Sequence, residues 1–394
     1  MSFSDSNRVG LLYVEESTWG VLVSSETMKA LNFTSESLKG NINTVTSDTI
    51  RSDRNVSDIT VVGGGAAGDI GFELRYNDID DLLAGALNAD WVTTQVSAAV
   101  ASARFSAATI KCDSSAMHHL RSGMFFRVSN ATTAGNDGDY QVATATFSGE
   151  RATIICLEAS SGASTAFTSE GFGASTLAQG KHIRNGTTPK SYTVEKRFQD
   201  VSTFHEYAGM RVGSMSLDVA SQSIMTGTMA FAGKGQAIST ATIASAITPA
   251  STNDVMNASG NINRIWEGGQ ALTNAVFQNL TLELNNNTRD QPQVGSDDLA
   301  GIGLGRCEVT GSLTAYFEDN TYVNKFVNNT QSNIRFQVTD SAGNSYIFSV
   351  PKVRYTDSTT AAGGPNADVV QEMTWGAMVD DAGVYAIGID ALDA

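Results

Sequence analysis

Apolar side chains in this 394-residue chain recur mostly at every second position. Ile70, Phe72, Leu74 and Tyr76 alternate with Gly71, Glu73, Arg75 and Asn77, the period of a strand with one buried face. Met215, Leu217 and Val219 alternate, Ala220 to Ser223 can turn, and Met225, Met229 and Phe231 alternate back. Ile334, Phe336 and Val338 face one way, DSAGN at 340–344 turns the chain, and Tyr346, Phe348 and Val350 return before Pro351 stops pairing. These antiparallel units predict a mainly β chain built as a sandwich or barrel. Helical spacing is confined to two short faces, Leu82, Leu83, Ala86 and Leu87, then Tyr322, Val323, Phe326 and Val327.

The run ITVVGGGAAG at 59–68 places glycines at 63, 65 and 68 in G-x-G-x-x-G spacing. A dinucleotide fingerprint needs a helix to follow, so that its N-terminus meets the pyrophosphate, and a carboxylate about twenty residues on at the end of a second parallel strand. Here the next residues alternate as a strand, and DDLLAGALNADW occupies the place of the second strand. The glycines are instead expected to form a tight connection that needs positive φ.

The pattern occurs twice. Residues 50–88 have a counterpart at 288–328, and an offset of 240 pairs Gly71 with Gly311, Tyr76 with Tyr316, Asp78 with Glu318 and Leu83 with Val323. Arg51 and Arg289 differ by 238, which requires two inserted residues in the intervening loop. The strand phase disagrees, because Phe72 and Leu74 fall on Ser312 and Thr314, and a one-residue slip moves every side chain to the other face. In the second copy GIGLG (301–305) replaces the glycine triplet.

Short strands such as MFFRV, YQVATATF and RATIICLEA, separated by AGNDGD and SGASTAFTSEGFGAS, mark 95–186 as an inserted small β domain. The expected organisation is a first module at 1–94, the insert at 95–186 and a second module at 187–394. The Ser/Thr/Ala-rich run 236–261 reads as a long excursion from the core.

Composition narrows the function. With 41 acidic and 25 basic residues the formal net charge is −16, a surface that repels nucleic acid and anionic membrane. No basic segment precedes a long apolar run near the start, and no apolar stretch reaches spanning length, so neither an export signal nor a membrane span is expected. Cys112, Cys156 and Cys307 are three in number and lack C-x-x-C spacing, which fits free thiols in a reducing compartment. His118 and His119 are adjacent, on opposite faces of a strand, and cannot readily share one metal. Asp78, Asp80 and Asp81 lack the Gly and Glu that complete a calcium loop, and suit helix capping and dipole compensation better. No G-x-S-x-G, H-E-x-x-H or P-loop occurs. No catalytic, metal or cofactor site is expected.

The segments YVEESTWG (13–20), LKGNINTVTSDTIRSDRNVSD (38–58), GDIGFELRYNDIDDLLAGAL (68–87), GMRVGSMSLDVASQSIMTGTMAFAGKG (209–235) and GLGRCEVTGSLTAYFEDNTYVNKF (303–326) resemble the tail tube, or major tail, proteins of long-tailed bacteriophages. The resemblance covers both halves and skips the insert. It implies a β-sandwich-like module with one flanking helix, whose sheets join across subunits into a barrel lining a channel, with stacked rings forming the tube that conducts the genome. Since one module occupies one sixth of such a ring, a duplicated chain implies a trimer with pseudo-sixfold symmetry, and an unduplicated one a hexamer.

The implied partners are further copies of the chain, the tape measure, tail terminator and tail tip proteins, and genomic DNA passing without sequence-specific binding, with no membrane. The implied location is the virion tail, after assembly in the host cytoplasm, in a non-contractile (siphovirus) tail. The glycine-rich segments 40–68 and 288–306 are expected to be arms against the next ring, and the insert to decorate the exterior. A carbohydrate-binding β-sandwich module is the alternative, although Trp19, Trp91, Trp266 and Trp375 are scattered. A flavin or nicotinamide enzyme rests on GGGAAG alone.

Overall fold

Two-residue alternation becomes antiparallel pairing through most of the molecule. The computed structural model describes residues 3–93, 96–113, 122–148, 151–158, 165–170, 173–268, 270–271, 277–381 and 383–394. The chain opens with β1 (Val9–Glu15), β2 (Thr27–Leu31), β3 (Ser35–Glu36), β4 (Lys39–Thr46), β5 (Ile59–Glu73) and helix α1 (Asp80–Leu87). Six strands follow: β6 (Val96–Ser106), β7 (Thr109–Asp113), β8 (Phe125–Ser129), β9 (Gly138–Ser148), β10 (Arg151–Glu158) and β11 (Gly173–Gln179). Then come β12 (Lys181–Arg184), β13 (Tyr192–Phe198), β14 (Thr203–Ala220), β15 (Thr226–Gly233), β16 (Gly235–Ser239) and β17 (Ala246–Thr248). The last third holds β18 (Ile262–Glu267), β19 (Gln270–Ala271), β20 (Phe277–Asn285), β21 (Arg289–Gln291), β22 (Gly301–Gly303), β23 (Glu308–Tyr316), α2 (Thr321–Val327), β24 (Ser332–Thr339), β25 (Ser345–Ala362), β26 (Val369–Ala377) and β27 (Gly388–Leu392).

One connection order is used twice. In the first repeat β5 leads through α1 to the hairpin β13–β14 and then to β15, which returns to pair with β5. In the second, β23 leads through α2 to the hairpin β24–β25 and then to β26, which returns to β23. β1 flanks β13 as β18 flanks β24. The long strands β14 and β25 each pass from one layer to the other, and register shifts mark the passage in both. One shift separates Val212 from Ser214 and its counterpart separates Tyr355 from Asp357; bulges of this kind bend a strand. Leu11, Ile70, Leu83, Val212, Leu282, Phe348 and Trp375 belong to one continuous core between the layers.

Superposing the bulges corrects the offset of 240 within the strands. Phe231 stands opposite Gly68 and next to Val212, whereas Trp375 stands opposite Gly311 and next to Tyr355. Gly311 therefore corresponds to Gly68, and Gly71 to Thr314, an offset of 243. The buried residues Ala66, Ile70 and Phe72 then fall on the buried Val309, Leu313 and Ala315, which removes the phase conflict. The cause is the strand-to-helix connection, residues 74–79 in the first repeat and only 317–320 in the second. Tyr76 and Tyr316 are consequently not equivalent.

Two other expectations change. Gly63, Gly65 and Gly68 lie inside β5, not in a tight connection. They admit close backbone approach: the Gly64 N–H donates to the Asp297 carbonyl at 2.9 Å, and a Cβ at Gly68 would lie 2.5 Å from the Ser37 carbonyl oxygen. The run 236–261 is not an excursion either. β16 pairs with β14, β17 runs parallel to β2, and the buried Glu195 carboxylate accepts from the Thr242 hydroxyl at 2.8 Å and the Ile243 N–H at 2.7 Å. A buried carboxylate needs such donors, and here they come from the run itself.

Within 96–179, strands β6 to β11 form a closed six-stranded barrel in the order β10–β7–β6–β11–β8–β9, with Phe105, Ile110, Phe126, Val142, Ile154 and Leu177 in a core of its own. Closure removes its sheet edges. It docks on the second repeat: Phe125 packs on Ile347 and Leu392, and Arg127 pairs with Asp139 while donating to the Gly343 and Asp393 carbonyls. Arg335 donates to Gln141 at 3.0 Å and stacks on Phe125, and burial lowers its pKa to about 10. The expected boundary at 187 runs through paired strands, since β13 pairs with β1 and β15 with β5. The first repeat thus lies on both sides of the barrel in sequence, and the second begins near Ile262.

The close approach of Trp375 to Gly311 is a stability determinant. A Cβ at Gly311 would lie 2.2 Å from the Thr281 carbonyl oxygen and 2.3 Å from the Trp375 ring. Gly311→Ala should destabilise the chain by about 1–3 kcal/mol through overpacking, read as a lower urea midpoint followed by tryptophan fluorescence. An unchanged midpoint would remove the pair from the list of constraints.

Candidate assembly interface

The two repeats fuse through one seam. β14 of the first pairs with β20 of the second from Ser214↔Asn285 to Ala220↔Asn279. The result is a single antiparallel sheet of eight strands, β4–β5–β15–β14–β20–β23–β26–β25. One face packs on the core. The other carries rows of small and polar side chains across the strands.

Pairing register defines those rows. One reads Glu73, Thr226, Asp218, Thr281, Ser312, Thr374, Asp357, and its neighbour reads Gly71, Thr228, Ser216, Glu283, Thr310, Gly376, Arg354. Flanking rows are Asp69, Ala230, Ser214, Asn285, Glu308, and Ala220, Asn279, Thr314, Glu372, Thr359. Seven carboxylates stand in these four rows against one basic residue, Arg354. Glu73 and Glu308 pair with Arg75 and Arg306, and the hydrogen bond from Arg306 holds the Glu308 carboxyl below its usual range. Threonine and serine hydroxyls bond laterally, as between Thr281 and Ser312 at 2.9 Å. Such a face offers a polyanion repulsion and few donors.

Both ends of the sheet are open among the described residues. β3 and β4 pair with β5 alone. Beyond Val353, β25 pairs only with β26, and Thr359, Thr360, Ala361 and Ala362 are exposed. The equivalent half of β14 is sandwiched between β15 and β20. An unpaired edge presents N–H and C=O groups to another chain.

The sequence-derived motif residues are spread through the fold. Arg51 is exposed in the β4–β5 connection, clamping Asp53, and Arg289 is exposed at the start of β21. Gly71 and Gly311 lie in strands. Tyr76 packs at a tilt against Tyr346 and donates to Asp393 at 2.8 Å. Asp78 accepts from Asn32 and the Ser251 N–H, and burial raises its pKa. Leu83 is buried in α1, Val323 is half-buried in α2, and Tyr316 and Glu318 are exposed beside that helix. The structure brings no two of the repeat-paired residues together.

The acidic cluster is structural. Lys29 pairs with Asp81, Lys181 with Asp80, and the Tyr346 hydroxyl bonds to Asp80. His118 and His119 lie outside the described residues. Among the described residues no three His, Cys, Asp or Glu side chains gather as metal ligands, and no helix is long and apolar enough to cross a membrane. A cleft between the repeats, lined by Asn185, Asn286, Arg306, Cys307, Met378 and Tyr385, contains a thiol whose pKa burial raises, the reverse of nucleophile activation.

The open edges and the carboxylate face were not legible before pairing was known, because a polar position in an alternating strand gains meaning only from its cross-strand neighbours. No curated protein matches the chain. The family model for phage tail tube protein matches residues 6–377, a span that includes both repeats, the internal seam and both open edges. The chain therefore belongs to the phage tail tube protein family, a structural component of the bacteriophage virion tail.

Proposed function

We propose that three copies close a ring in which the eight-stranded sheets join edge to edge, forming the wall of a channel for the genome. The observation that carries this reading is the internal seam: it joins one repeat to the next and leaves a matching pair of free edges, one at β4 and one at β25. A head-to-tail contact that closes by rotation gives a ring, and two repeats per chain give pseudo-sixfold symmetry from a trimer. The row-patterned polar face lines the channel. Its carboxylates keep a polyanion from adhering, so DNA passes without sequence-specific contact.

In this reading the barrel of 96–179 stands on the outside, where its bulk leaves the channel clear. The β4–β5 connection, with exposed Ile50 and Val56, and the β20–β23 connection reach toward the adjacent ring. Tape measure, terminator and tip proteins meet the tube at its lumen and ends. Assembly takes place in the host cytoplasm, and the tail is non-contractile.

Negative-stain electron microscopy with light scattering tests the ring. Hollow rings or tubes with three chains per ring are expected; six chains per ring would overturn the trimer, and a monomer at every concentration, with the tail's initiating proteins added, would overturn the ring. Replacing Asp218, Glu283 and Glu372 together by lysine should leave tubes intact but make them retain duplex DNA at low salt, a retention that falls as salt rises. Equal DNA retention by tubes of both forms would remove this face from the channel.

A further inference from the structure

The internal seam fixes which backbone groups meet at an edge. The Asn286 N–H donates to the Gly213 carbonyl and the Ser221 N–H to the Gln278 carbonyl, both at 2.8 Å. Alternation along an antiparallel strand then points the N–H groups of Leu282 and Leu284 at β14, and those of Met215 and Leu217 at β20. The facing pairs are Met215↔Leu284 and Leu217↔Leu282.

The repeat carries this geometry to the free edges. Leu284 pairs with Val309 and Gly40 with Ala66, and Ala66 and Val309 are equivalent, so Gly40 and Leu38 stand where Leu284 and Leu282 stand. Matching bulges place Ser358 and Thr360 at Met215 and Leu217. Three of these four outward N–H groups are occupied by side chains. Gly40 donates to Gln236 Oε1 at 2.7 Å, Leu38 to Glu36 Oε2 at 3.1 Å, and Ser358 to Asp357 Oδ1 at 2.9 Å.

Resting on the ring reading above, we propose that the closing seam pairs Ser358 with Gly40 and Thr360 with Leu38 of the next copy. Asp357, Gln236 and Glu36 are placeholders that cap these edges until that copy displaces them. Three of the four bonds exchange a side-chain acceptor for a backbone carbonyl, and in the fourth the Thr360 N–H joins the Tyr207 hydroxyl, 2.9 Å away, on the Leu38 carbonyl, which has two lone pairs; the caps therefore act on the rate of closure more than on its endpoint. Capped edges also deny pairing to unrelated strands, the hazard that exposed edges carry. Glu36 keeps a partner when it leaves, because its other oxygen lies 2.6 Å from Lys196 Nζ.

Register is tested by cross-linking. Lys39 and Thr359 correspond to Glu283 and Ser216, which face each other across the internal seam in a non-hydrogen-bonded pair, where Cβ atoms approach most closely. Rings of the full chain carrying Lys39→Cys and Thr359→Cys should oxidise to covalent trimers. Lys39→Cys with Thr360→Cys, whose thiols face opposite ways, should not. Rings that fail to cross-link in the first variant, or cross-link in the second, would overturn the register while leaving the ring reading intact; absence of rings from the unmodified chain would instead sink that reading.

Capping is tested by rate. Gln236→Ala and Asp357→Ala should each shorten the assembly lag severalfold without changing the final rings, and Asp357→Asn, which keeps an acceptor, should restore the original lag. An unchanged or longer lag in both alanine variants would overturn the placeholder role.

Discussion

Backbone hydrogen bonding at the ends of one sheet is the constraint on which the rest of this molecule depends. A peptide group in a strand has one donor and one acceptor, and a sheet can satisfy them all only by closing or by being covered. The barrel of 96–179 closes on itself. The eight-stranded sheet does not, and its two ends have the shape of the seam already present at its centre. The internal repeat therefore supplies both halves of a junction, joined once within the chain and left unjoined at its ends.

The remaining features serve that sheet. Bulges in β14 and β25 carry each strand from the buried layer into the open one, so a single strand belongs to the core at one end and to the junction at the other. Gly311 leaves room for the Trp375 ring and Gly68 for the backbone of Ser37 and Leu38, and the Ser/Thr-rich face on the opposite side stays free of bulky groups. Net charge acquires a location in the same way: seven of the acidic residues stand in four adjacent rows, while Asp78, Asp80 and Asp81 are consumed by local bonds and ion pairs.

Much of this architecture was written locally. Alternation identified the hairpins at 215–231 and 334–350, and helical spacing both short helices; Pro351 does not stop pairing as expected, because it falls at a register shift and β25 continues to Ala362. The resemblance carried by those segments led to the same family that matches residues 6–377. What escaped the sequence was non-local. The offset of 240 matched the helices and misaligned the strands, because a shortened connection before α2 separates the two registers. The glycines of 63–68 read as a turn because nothing local announces that Asp297 will lie against them. The run 236–261 looked detached because its anchor, Glu195, lies beyond β14 and β15 in sequence.

The internal seam and the proposed closing seam, though built alike, differ in chemistry. Across the internal one, Leu217 faces Leu282 and Met215 faces Leu284, all buried, so apolar burial reinforces the ladder. At the equivalent free positions Thr360 would face Leu38, and Ser358 would face Gly40. A seam so composed draws on backbone pairing with little apolar area, which suits a junction that must remain soluble before it is made. Exposed leucine and methionine along β25 would strengthen the proposed ring but would also make the free edge adhesive. Serine and threonine there keep the strand extended, leave its hydrogen-bonding groups presented, and transfer the choice of partner from hydrophobic contact to register.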